Sequence, residues 1–141
     1  MTTSEEFIWS DQWLVGNAIM DDEHQLLVDV IQQMLASDAL ALPKLLDKFE
    51  RAAQAHFAVE NSWMESTEFP PRQCHIDEHM AVLQSVAEVK QVISQGRMEV
   101  GVSLVKELAK WFPSHVAHLD SALAHWISKQ KLGGKPVVIR R

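Results

Sequence analysis

Apolar residues recur at intervals of three and four along four stretches of this chain, and that spacing predicts four amphipathic helices. The first stretch runs from about Ala18 to Ser37, with Leu27, Val28, Ile31, Met34 and Leu35 on one stripe. Pro43 is placed to open the second, which reaches about Thr67 and carries Leu45, Leu46, Phe49, Ala52, Ala53, Trp63 and Met64. Pro70 and Pro71 interrupt helical propagation and open the third, where Val82, Val86, Val89 and Ile93 lead to a cap at Gly96. The fourth extends from about Met98 to Lys129 through Leu104, Val105, Leu108, Trp111, Phe112, Leu119, Leu123 and Trp126. No alternation is long enough for a sheet, and there is no internal repeat or low-complexity segment. Helices of similar length joined by short connections pack as antiparallel neighbours, so the expected fold is all-α, an up-down-up-down antiparallel four-helix bundle.

The ends lack this period. Residues 1–17 read as an irregular arm whose Trp9 and Trp13 pack on the body, 18–129 as the bundle and 130–141 as a short tail. A length of 141 residues fits a single domain, 1–141. The net charge of -6 hides an asymmetry, because the last thirteen residues hold five of the thirteen Lys and Arg and no acid. The remainder carries eight basic against nineteen acidic residues, a net charge of -11. Such an acidic body argues against nucleic acid as a partner, and the basic tail reads as solvated, with any protein partner unknown. No apolar run approaches the roughly 20 residues of a membrane span, and the polar, acidic MTTSEEF start is unlike a signal peptide, so the expected location is cytoplasmic. One cysteine, Cys74, cannot form an internal disulfide, which agrees with a reducing compartment.

Polar residues interrupt the apolar stripes at inward positions. His56 and Glu60, four apart in HFAVENSWM, share a helix face, as do His75 and His79 in HIDEH; His24 lies on the first stripe and His115 on the fourth, followed by Asp120. A single histidine on such a stripe is an ordinary core residue, but five of them with two carboxylates are a large polar load for one small core. A metal ion would compensate it. Seven donors exceed the four of a structural zinc site and suit two metal ions with carboxylate bridges. On an ideal helix Asp120 is rotated by about 140° from His115, so the two are not expected to bind one ion side by side as an i, i+4 pair does, but could serve two adjacent ions, or one terminally and one as a bridge. Imidazole suits iron, zinc, copper and nickel alike. His118 and His125 fall outside the pattern and read as surface residues, and Cys74 reads as a packed small thiol.

The early Trp9 and Gly16, MDDEHQLL, HFAVENSWM, the proline followed by HIDEH, and WFPSHVAHLD together resemble the hemerythrin family, specifically its single-domain bacterial members, over roughly residues 9–127. The resemblance implies two iron ions per chain: one held by His75, His79 and His115, the other by His24 and His56, with Glu60, Asp120 and an oxo or hydroxo group as bridges. It further implies an open position for O2 on the second iron, in an apolar pocket of Leu27, Trp111, Phe112 and Val116. The function so implied is reversible O2 binding at a non-haem di-iron centre, as a carrier, store or delivery protein rather than an enzyme. The alternatives are an O2 or redox sensor or partner-delivery module, and a di-iron peroxidase or oxidase. The chain departs from the family pattern at Asn61, where a second acid often follows the bridging glutamate, and at Phe69, where a tyrosine often precedes the proline. Phe112 stands where a leucine commonly covers the O2 site. Pro113 removes one backbone hydrogen bond, to the carbonyl of Ala109, and is expected to kink the fourth helix one turn before its ligands.

Overall fold

The computed structural model describes residues 7–131, which are largely helical and contain no strand. Helix α1 spans Ala18–Ala36, α2 Leu42–Ser66, α3 Arg72–Ser94 and α4 Met98–His115; a π turn, Val116–Asp120, joins α4 to α5, Ser121–Lys131. The rod made of α4, the π turn and α5 is the fourth of the bundle. Its neighbours are α1 and α3, and α2 packs between α1 and α3, so the four rods close a ring. The first six residues of the expected arm and residues 132–141 of the expected tail lie outside the described residues. Helix α5 runs to Lys131, two residues beyond the expected end of the bundle. Among the described residues no helix is long and apolar enough to cross a membrane.

Local chemistry fixes each end. Asn17 caps α1, its side chain accepting from the Met20 N–H at 3.0 Å. One turn on, the Asp21 carboxylate accepts from the backbone N–H of Val15 at 2.8 Å and of Gly16 at 3.3 Å, which ties the arm to the helix. Pro43 occupies the first turn of α2, where a missing N–H is harmless. Helix α3 closes in a Schellman motif: Gly96, at φ 97°, donates to Ile93 O, and Arg97 donates to Val92 O. Helix α2 closes the same way, with Glu68 donating to Glu65 O and Phe69 to Met64 O, and the buried Phe69 joins the cluster that contains Met64. Here the left-handed position, φ 52°, is occupied by Glu68, which carries a Cβ that glycine lacks. Glu68→Gly should therefore raise stability by roughly 0.5–1 kcal/mol, seen as a higher urea midpoint at an unchanged slope. A lower midpoint would show that the Glu68 side chain contributes more than its backbone strain costs.

The fourth rod corrects the expectation of one α-helix from Met98 to Lys129. It is helical throughout, but its departure from α geometry falls three residues after Pro113. The Val116 N–H meets the carbonyls of both Phe112 and Pro113, and the Ser121 N–H reaches back five residues to Val116 O. That longer step leaves the Ala117 carbonyl without its usual helical donor, and the Ser121 hydroxyl takes the place. Beyond the turn, Leu123, Ala124 and Ile127 face inward, while Trp126 is only partly buried.

The core is divided. Leu27, Phe57, Phe112 and Val116 belong to the larger apolar cluster, and Met20, Met64 and Leu123 to a smaller one. On each of α1, α2 and the fourth rod, one polar residue lies between the two: His24 between Met20 and Leu27, Glu60 between Phe57 and Met64, Asp120 between Val116 and Leu123. A buried polar layer thus crosses the bundle. The arm contributes Phe7, 3% exposed, and a 3-10 turn at Asp11–Trp13 where no period is visible in the sequence. Trp9 and Trp13 pack on the body as expected, with Trp13 stacked on Phe112 at 5.6 Å between ring centroids. His118 and His125 are exposed. Cys74 is also exposed, contrary to the packed thiol expected of it: one step before His75, it is turned away from the face that α3 buries.

Candidate metal centre

All seven polar residues of the layer are 2% exposed or less, and their donor atoms converge. The i, i+4 spacing puts Glu60 Oε2 2.9 Å from His56 Nε2 on α2, and the same spacing on α3 brings the His75 and His79 rings edge to face with centroids 4.5 Å apart. Glu60 divides its two oxygens between two groups of imidazoles. Its Oε1 lies 3.1 Å from His79 Nε2 and 3.6 Å from His75 Nε2, and its Oε2 faces His56 and, at 3.6 Å, His24. Asp120 does the same: Oδ1 is 2.9 Å from His75 Nε2 and 3.2 Å from His115 Nε2, whereas Oδ2 is 2.9 Å from His24 Nε2. Two donor groups result, Glu60 with His75, His79, His115 and Asp120, and Glu60 with His24, His56 and Asp120.

The rotation of about 140° expected between His115 and Asp120 does not hold. The five residues that follow His115 form a π turn, in which residues five apart stand one above the other, so His115 and Asp120 share a face and meet in one donor group.

Distances alone do not identify these contacts as hydrogen bonds. His24 Nε2, His56 Nε2, both Glu60 oxygens and Asp120 Oδ2 are buried without a partner in hydrogen-bond geometry, although each stands close to another donor atom of the layer. Several kcal/mol would be lost if five such atoms stayed unsatisfied. Lone pairs that pass one another and point to a common centre fit a cation, and neutral imidazole with carboxylate is a donor set for a transition metal.

Three ring nitrogens turned away from the centre are held. His56 Nδ1 lies 3.0 Å from Glu23 Oε1, His79 Nδ1 2.8 Å from Asn61 Oδ1, and His115 Nδ1 2.9 Å from Glu78 Oε1, which also accepts from Trp111 Nε1 at 2.6 Å. Each acceptor keeps the proton on Nδ1 and leaves the Nε2 lone pair facing inward. Glu23 and Glu78 were not among the residues the sequence pattern singled out, because each serves a ring on a neighbouring helix. A signal was nonetheless present: the tripeptide Asp-Glu-His occurs twice, ending at His24 and at His79, and in both copies the glutamate supports a histidine of the next rod.

Electrostatics follow from burial opposed by close charge. Burial pushes the His24 ring down, but the Asp120 and Glu60 carboxylates beside it outweigh this and carry it up to about 9; the same balance takes His75 to about 9. His56 is raised by Glu60 against its burial. His79 goes the other way, its burial and the neighbouring His75 and His115 prevailing over Glu60. Burial would lift Glu60 and Asp120, yet the surrounding imidazoles hold both below the ordinary carboxylate range. Glu78 is likewise held down, against its burial, by His115 and Trp111. The layer therefore demands positive charge from protons on its histidines or from a metal that replaces them.

Of the residues expected around a small ligand, Leu27, Phe112 and Val116 are buried together, and the Phe112 ring meets His24 edge-on at 5.6 Å. Trp111 packs on the same cluster, 5.7 Å from Phe112 between ring centroids, but reaches toward the other end of the layer as well. Its ring lies 4.5 Å from His115, in the other donor group, and only partly buried.

The family model of the Hemerythrin HHE cation binding domain matches residues 15–127. The chain is similar to a bacteriohemerythrin of Ralstonia nicotianae, 34% identical, with 86% of this chain and 89% of that protein covered. A bacteriohemerythrin of Aquifex aeolicus is 30% identical over 78% of this chain and 88% of its own length, and one from Stenotrophomonas maltophilia 22% identical over 83% and 78%.

Proposed function

Since this chain belongs to the hemerythrin family, we propose that it binds O2 reversibly at two iron ions, as a single-domain carrier, store or delivery protein and not as an enzyme. The observation that carries this reading is the division of Glu60 and Asp120, each of which offers one oxygen to each group of histidines. His75, His79 and His115 would hold one iron and His24 and His56 the other, with both carboxylates shared. Iron bound by these residues would supply the electrons for reversible O2 binding.

The chain's own residues set the conditions for that return. Five neutral imidazoles stand where di-iron bundles that attack substrates carry mostly glutamates, and fewer anionic donors disfavour the high oxidation states such attack requires. Leu27, Phe112 and Val116 form an apolar wall on the side of His24, which keeps bulk water from the half of the layer that has fewer protein donors. Glu23, Asn61 and Glu78 hold the ring orientations from outside.

The test is an absorption spectrum of iron-loaded protein cycled between air and argon. Repeated recovery is expected, and iron analysis should return close to two ions per chain. His56→Ala and His79→Ala should lose iron, while the exposed His118→Ala and His125→Ala should keep it. Irreversible oxidation in the first cycle, or sustained peroxide turnover, would replace the carrier reading with an enzymatic one.

A further inference from the structure

The two halves of the bundle are built on one plan. In α1 and α2, Asp-Glu-His ends at His24, Glu23 supports His56, and an acid, Glu60, follows His56. In α3 and the fourth rod, Asp-Glu-His ends at His79, Glu78 supports His115, and an acid, Asp120, follows His115. The halves differ in two respects. The second half has an additional imidazole, His75, one turn before His79. The residue after each acid also behaves differently: Asn61 accepts from His79 Nδ1 at 2.8 Å, whereas Ser121 gives its hydroxyl to the carbonyl of Ala117 inside the π turn, and His24 Nδ1 is buried with no hydrogen-bond partner among the described residues.

From this asymmetry we infer that the two positions load in order, the three-histidine position first, and that Asn61 is the positioning residue that widens the gap by holding the His79 ring. The inference rests on the metal-centre reading above. One position offers five donors, with the His79 and His115 rings held from behind and only His75 Nδ1 without a partner among the described residues; the other offers four, with His56 held and His24 Nδ1 without one. A ligand ring already oriented loses less freedom when it binds, and outer-shell partners of this kind change metal affinity by about 10- to 100-fold. Because each half has one such glutamate, Glu23 behind His56 and Glu78 behind His115, these two do not distinguish the steps. Asn61 and His75 occur in one half only, so the difference between steps falls on them.

The experiment is an anaerobic titration of the metal-stripped protein with Co(II), against a competing chelator, followed by visible absorption and by proton NMR of the hyperfine-shifted ring N–H signals. The unmodified protein should fill in two steps at least about tenfold apart, with the Nδ1–H signals of His79 and His115 appearing at the first. Asn61→Leu should weaken the first step by about 10-fold or more and leave the second unchanged, and Asn61→Asp, which retains an acceptor oxygen, should restore it. His75→Ala should bring the two steps together, while His24→Ala should abolish only the second. Circular dichroism of each stripped variant checks that it is folded. Two steps of equal affinity, a first step lost in His24→Ala, or an Asn61→Leu titration superimposable on the original would overturn ordered loading while leaving a two-metal centre intact. Failure to bind any Co(II) would overturn the metal-centre reading itself.

Discussion

Removal of the metal should lower the melting temperature by on the order of 10 °C at neutral pH, and the difference should widen as the pH rises toward 9. Ligands come from all four rods, so binding to the folded state alone adds about 4 kcal/mol when free metal is a thousand times its dissociation constant. For a chain of this size that corresponds to roughly ten degrees or more. The pH dependence comes from His24 and His75, whose pKa values near 9 in the folded, metal-stripped protein exceed the ordinary 6.5. A raised folded-state pKa stabilises fully below about 6.5 and loses that contribution as the pH climbs through 9. The stripped protein should therefore soften over that interval. The loaded protein needs these rings neutral, and its affinity strengthens over the same interval, with protons released on loading at pH 7. Differential scanning calorimetry of both forms at pH 6.5, 7.5 and 8.5, with calorimetric titration in two buffers of different ionisation heat, measures each part. Parallel melting curves would contradict the coupling of metal to fold.

Phe112→Ala should have the largest effect of any single apolar change near the centre. Phe112 is 1% exposed and packs against Trp13, Trp111 and His24, so truncation should destabilise the protein by about 3–5 kcal/mol. The opened volume adjoins a polar ligand, unlike an all-apolar cavity, and will admit water. O2 should still bind, but the O2-bound form should decay faster to the oxidised protein. Phe112→Leu, which keeps the wall apolar, should recover most of the stability and much of the lifetime. Stopped-flow mixing with O2 at a temperature where both variants remain folded gives the decay directly; a lifetime in Phe112→Ala equal to or longer than that of the unmodified protein would show that Phe112 does not guard the site.

The bundle and six of the seven polar residues of its layer were legible because both depend on helical spacing; Asp120, off the face of His115 on an ideal helix, has its place in the site from the family resemblance rather than from spacing. His56 with Glu60 and His75 with His79 declare a shared face by being four apart, and the stripes that contain them declare which face is inward. What spacing could not give were contacts across helices and departures from the α period. Glu23 and Glu78 look like solvated acids until the neighbouring rod is in place to present His56 and His115. Trp111 lies on the apolar stripe, yet the stripe does not say which end of the polar layer it meets; its N–H bond to Glu78 settles it beside His115. Cys74 neighbours a buried histidine in sequence but is turned away by one residue's rotation, and no other element covers it.

The π turn also bears on which changes of length this chain tolerates. Between His115 and Ser121 it contains one residue more than an α-helix would use to cover the same stretch. Ala117 and His118 are both exposed, so a single-codon deletion there would remove no packed side chain. It would restore regular winding and place Asp120 four residues after His115, the spacing at which α-helical side chains share a face, so Asp120 and the inward Leu123 and Ile127 should keep their orientation. Substitutions and a single deletion at Ala117 or His118 should therefore be accepted, while a single insertion, which turns everything downstream by about 100°, should not: at this point the chain has one residue to spare and no room for another.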